Sequence, residues 1–114
     1  MSTERGVVGM RGFQITFFTQ QDRRQEGKPL GEWLLLLAKR LGLQGATMVS
    51  AVEGFGASGR IHSARFFELG DQPIEVLVTV TEEQAERLFE HLRHAGVRLF
   101  YVKTPVEYGK IGED

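Results

Sequence analysis

The run from Ile74 to Val80 constrains this chain more than any other. Ile74, Val76, Val78 and Val80 alternate with Glu75, Leu77 and Thr79. Successive side chains of a strand point to opposite faces, so one face of this run is purely apolar and predicts a strand packed against a core. Thr81 follows at once, with Gln84 three residues on and Glu82 and Glu83 between them. That spacing is a capping box, and the two carboxylates complement the positive end of a helix dipole. The helix it opens places Ala85, Leu88, Phe89 and Leu92 on one stripe, and Gly96 is its stop. An earlier part of the chain has the same plan. Phe13 to Phe18 alternates and is aromatic and β-branched, which predicts a first strand. Gln20 to Lys28 is charged and reads as a loop, Pro29 suits a first helical turn, and Gly42 ends a helix reaching Leu41. Leu30, Trp33, Leu34, Leu37, Ala38 and Leu41 form its stripe. Leu35 and Leu36 widen that stripe, so this helix is expected to be buried on more than one side, by the fold or by a second subunit.

A second strand is expected over Ala46 to Glu53 and a last one over Val97 to Thr104, stopped by Pro105. The order is then βαββαβ, an α+β ferredoxin-like (split βαβ) arrangement: a four-stranded antiparallel sheet with both helices on one face. The other face has no cover. Phe18, Val52, Leu77, Phe100 and Val102 are predicted to lie there, and an apolar face of that size predicts oligomerisation. The domain is expected over residues 12–105, with flexible tails over 1–11 and 106–114.

Composition removes several function classes. A chain of 114 residues holds one domain. Its formal net charge of −1 argues against a nucleic-acid partner, because that affinity comes largely from neutralising phosphates. With no cysteine, disulfide and thiolate chemistry are excluded, which suits a reducing compartment. Met1 to Arg11 lacks the apolar centre of a signal peptide, and the longest apolar run, Trp33 to Ala38, is too short to cross a membrane. The expectation is a cytoplasmic domain without membrane insertion.

The stretch Gly54-Phe55-Gly56-Ala57-Ser58-Gly59 satisfies G-x-G-x-x-G. A dinucleotide fingerprint needs a helix to follow at once in a parallel sheet, and Arg60-Ile61-His62-Ser63-Ala64-Arg65 does not supply one. A phosphate loop of the GxxxxGK[ST] type is excluded too, since Arg60 and Ile61 replace the lysine and the metal-binding hydroxyl. Arg60, His62 and Arg65 could hold a phosphate or carboxylate, Arg60 by a bidentate contact, or could decorate a solvated hairpin. His91 and His94, at i and i+3 beside Glu90, could contribute to a metal site, but lack a third ligand at telling spacing and fit an exposed helical face. Ser58 and Ser63 flank His62 without the spacing of a triad. No catalytic constellation is present, so the chain reads as a non-enzyme.

Gly42-Leu43-Gln44-Gly45-Ala46-Thr47, then Val52-Glu53-Gly54-Phe55-Gly56, then His62, resembles the nitrogen regulatory protein PII. Glu26-Gly27-Lys28-Pro29-Leu30 together with Glu53 to His62 is closer to a small PII-like family of uncharacterised domains. The resemblance spans about Phe13 to Thr104. It implies a homotrimer with ligand clefts between subunits and a long loop, the T-loop, that signals to a protein partner such as a transporter or an enzyme. Carried over by position, Gly54, Phe55 and Gly56 would meet a ligand at the loop base, Thr47 would lie near an adenine, and Ser58, Arg60 and His62 would belong to the loop. The chain departs from PII in its phosphate cations: His94-Ala95-Gly96-Val97-Arg98 has one glycine and no lysine, and Glu53 replaces a lysine. Arg60, Arg98 and Lys103 are the nearest substitutes. Fewer cations favour AMP or ADP, or another small anion, over ATP. Two alternatives stand beside the sensor: a structural trimer with no metabolite ligand, and a metal-binding ferredoxin-like trimer.

Overall fold

The computed structural model describes residues 9–50, 53–55, 61–63 and 72–112. The elements are β1 (Met10–Gln20), β2 (Arg24–Gln25), β3 (Lys28–Pro29), α1 (Leu30–Arg40), β4 (Ala46–Ser50), β5 (Glu53–Phe55), β6 (Ile61–Ser63), β7 (Pro73–Val80), α2 (Glu82–Ala95) and β8 (Phe100–Tyr108). Four of them form the main sheet in the order β4-β7-β1-β8, with every neighbouring pair antiparallel. This is the expected ferredoxin-like sheet, with β7 and β1 in the centre and β4 and β8 at the edges.

The expected alternation sets the faces. Ile15, Phe17, Ile74, Val76, Val78 and Val80 are buried with Leu30, Trp33, Leu34, Leu37 and Ala38 of α1 and Ala85, Leu88 and Leu92 of α2. Burial of this kind contributes about 1.5–3 kcal/mol per large apolar side chain. Thr81 accepts from the Gln84 N–H at 3.1 Å, and the Gln84 side chain accepts from the Thr81 N–H at 2.9 Å, which is the capping box the spacing predicts. Both helices end as expected: Gly42 (φ 72) and Gly96 (φ 70) take the left-handed conformation that closes a last turn. The extra breadth of the α1 stripe is resolved unevenly. Leu35 packs against the core, whereas Leu36 is 45% exposed.

Several boundaries differ from the sequence expectation. Pro105 does not stop the last strand; β8 starts later, at Phe100, and runs on to Tyr108. β8 is an edge strand, and Phe13↔Pro105 is flanked by Gly12↔Val106 and Gln14↔Thr104, so the ladder passes the proline. A proline is tolerated there because its missing N–H lies on the outer, unpaired side. β1 begins at Met10, and its first residues pair Met10↔Tyr108 and Arg11↔Glu107, inside the segments expected as tails. The second strand ends at Ser50, and Glu53 belongs to a separate hairpin. The charged stretch before α1, expected as a loop, is a small hairpin of β2 and β3.

Candidate ligand site

The glycine stretch forms part of a two-stranded antiparallel ribbon. Glu53↔Ser63, Gly54↔His62 and Phe55↔Ile61 are paired. A strand therefore follows the G-x-G-x-x-G segment, where a dinucleotide fold needs a helix N-terminus to face the pyrophosphate. The pairing sets Gly54 opposite His62. Gly56, Ser58 and Arg60 lie outside the described residues, as do Val52 and most of the segment expected as the T-loop.

The sheet register shows what shares an end with this ribbon. Thr19 and Ser50 both pair with Ile74, near the start of β7, and Phe18 pairs with Phe100, the start of β8. The exits of β1 and β4 and the entries of β7 and β8 thus lie at one end of the sheet. The connection between α2 and β8, which carries the exposed Arg98, leaves from that end as well.

Thr47 and Lys103 are elsewhere. Thr47 pairs with Leu77 on β4, and Lys103 pairs with Ile15 on β8, so they stand on opposite edge strands. Three strand spacings separate those edges, about 14 Å. They also face opposite ways. Thr47 is in line with Leu77, Thr16 and Val102 on the open side, whereas Lys103 is on the helix side, its Nζ 4.1 Å from the centre of the Phe13 ring. No single protomer can bring both to one small ligand.

On the open side, Phe18, Leu77, Val49, Phe100 and Val102 form an apolar band across the sheet. The rings of Phe18 and Phe100 lie 5.6 Å apart between centres, tilted by 49°, and Phe100 is 68% exposed. Four of the residues predicted for this face are there; the fifth, Val52, lies outside the described residues.

The histidines of α2 lie exposed beside Glu90. Glu90 accepts a hydrogen bond from Arg93 at 3.0 Å, and its other oxygen is 3.6 Å from Nδ1 of His94. The Arg93 hydrogen bond and charge hold the Glu90 carboxyl below its ordinary range. Among the described residues no cluster of metal-ligating side chains occurs. No helix among them is long and apolar enough to cross a membrane. One open pocket of about 330 Å³ lies between α1 and β4, lined by Leu35, Ala38, Lys39, Leu43, Gly45 and Ala46. Sequence reading missed it, and its only signal was the surplus leucines of α1.

Residues 12–107 match the model of the DUF190 family, described as uncharacterized ACR. The UPF0166 protein of Aquifex aeolicus (strain VF5) is 35% identical over 80 residues, 69% of this chain and 76% of that one. The fold is shared with CPII from Thiomonas intermedia K12, a nitrogen regulatory PII-like protein solved with ADP, AMP and bicarbonate; the TM-score is 0.67 at 18% identity, over 90% of this chain and 92% of CPII. A Thermus thermophilus structure described as a PII-like signalling protein gives 0.62 at 20% identity, over 90% and 92%. The PII-like, ferredoxin-like fold expected from the sequence is the fold of the chain.

Proposed function

Because this chain belongs to the DUF190 family and has the PII-like fold, we propose that it is a non-enzymatic homotrimeric sensor. An adenine nucleotide, AMP or ADP in preference to ATP, binds between subunits beside Gly54, Phe55 and Gly56. Ligand binding shifts the loop of roughly residues 57–71 between two states that differ in affinity for the ligand. That loop then engages a cytoplasmic protein partner, such as a transporter or an enzyme.

The observation that carries this reading is the separation of Thr47 from Lys103. They lie on opposite edges and opposite faces of one sheet, so a site using both takes them from two copies. The bare apolar face offers a surface on which copies meet. The adenine nucleotide is suggested by CPII, which binds ADP and AMP.

Calorimetric titration with AMP, ADP, ATP and divalent metals tests the proposal. Saturable heat with AMP or ADP that weakens in Gly56→Ala and in Lys103→Ala is the expected result. No heat with any nucleotide leaves the structural trimer, which the lysine-free α2–β8 connection favours. Metal binding lost on joint replacement of His91 and His94 by alanine would support the metal-binding trimer instead.

A further inference from the structure

The hairpin of β2 and β3 lies outside the site described so far, and by itself it is a weak element. Each of its strands has two residues. A lone two-stranded hairpin of ordinary length is already marginal in water, and this one is shorter. The pairs Arg24↔Pro29 and Gln25↔Lys28 leave Glu26 and Gly27 as a two-residue turn. Glu26 has φ 52 and Gly27 φ 79, and among the described residues Glu26 is the non-glycine with positive φ. A turn with both φ values positive favours Asn-Gly or Asp-Gly. Glutamate there crowds its Cβ against the next carbonyl, a strain that persists where the surroundings impose it.

The surroundings hold the hairpin at two places. At its base the Gln21 N–H donates to the carbonyl of Gln72, the residue before β7, at 2.9 Å. The Leu30 N–H, at the start of α1, donates to the carbonyl of Arg23 at 2.8 Å. The second place is the end of α2. The half-buried Gln25 donates its side-chain amide to the carbonyl of Ala95 at 3.4 Å. The last carbonyls of a helix have no partner within it. The N–H groups of Gly96 and Val97 serve Arg93 and Leu92, and the carbonyl of Ala95 is met by Gln25.

We propose that the β2–β3 hairpin is a strap that couples Gln72 to the end of α2. An element with so little stability of its own is ordered by its anchors, so loosening one anchor frees the hairpin and weakens the other. Such a coupling is reciprocal. It rests on the sensor reading only for its use. There, the exit of the long loop at Gln72 and the α2–β8 connection with Arg98 order and loosen together, so an event at one is felt at the other.

Amide hydrogen exchange followed by NMR on the full chain, without ligand, tests the strap. Gln25→Ala removes the anchor on α2. The expected result is about fivefold faster exchange at the Gln21 N–H, which Gln25 does not touch; that is the worth of one neutral hydrogen bond. The amides of Val76 and Val78 in β7 should be unchanged. Glu26→Asn gives the turn its favoured Asn-Gly pair, so the hairpin holds itself. In that background Gln25→Ala should alter exchange at Gln21 by about twofold or less. A Gln21 N–H unmoved by Gln25→Ala overturns the strap. So does acceleration shared equally by Val76 and Val78, which marks loosening of the whole fold. A fivefold effect undiminished by Glu26→Asn also overturns it, because the hairpin's weakness is then not the carrier. With no ligand in the experiment, a failed strap leaves the sensor standing, and a sensor that fails in calorimetry leaves the strap.

Discussion

On the helix side of the sheet, Ile15, Phe17, Ile74, Val76, Val78 and Val80 are sealed under the chain's own helices. On the open side, Phe18, Leu77, Phe100 and Val102 share the face with Gln14, Thr16, Glu75, Thr79 and Thr104. The covered face is apolar almost throughout. The bare one interleaves apolar and hydrogen-bonding side chains. A surface covered by its own chain meets water only while unfolded. One left open by its own chain must stay soluble in the folded state as well, and the threonines and Glu75 lessen its apolar character.

The largest effect expected from this contrast is on the covered face. Phe17→Ala should cost about 3–5 kcal/mol in urea unfolding, because Phe17 is 1% exposed and meets the rings of Phe89 and Tyr101. A loss near that of a surface substitution would break the contrast. Next comes the open face. Phe100→Asp with Val102→Asp should convert a trimer to monomers in analytical ultracentrifugation, while changing the stability of the monomer by about 0.5 kcal/mol or less at each site. A trimer that survives both charges would show that copies meet elsewhere. The smallest effect sharpens the comparison at one residue type. Thr19 is buried on the covered face and its hydroxyl has no hydrogen-bond partner among the described residues. Thr19→Val should therefore stabilise the fold, by about 1 kcal/mol. Thr16→Val, on the half-exposed open face, should leave monomer stability nearly unchanged.

Where local signals and packing agree, the fold was legible in the sequence. The Thr81–Gln84 box, the two glycine stops and the alternation of β7 each express a backbone requirement within a few residues, and each is present in the structure. The errors arose where a local rule is overridden by position in the sheet. Pro105 is a strand breaker only in a central strand, and no residue near it announces that β8 lies at an edge. The β2–β3 hairpin was hidden because each strand is two residues long and its turn is Glu-Gly. Asn-Gly or Asp-Gly would have marked such a turn. The candidate site was less legible for a further reason. Thr47, Gly54 and Lys103 rest on resemblance, and only the sheet register reveals that Thr47 and Lys103 stand on opposite edges and faces of one copy. The anchoring of Gln25 to Ala95 joins residues far apart in the chain, and neither shows it alone.

Pro105 has a consequence for growth. An edge strand offers a row of free donors and acceptors to any passing strand, and unlimited pairing of that kind makes fibres. The proline removes one donor from the outer row of β8 and puts a ring in its place. A visiting strand could follow that margin from Phe100 to Thr104 and no further in register. An assembly that used this edge would be kept to a short contact.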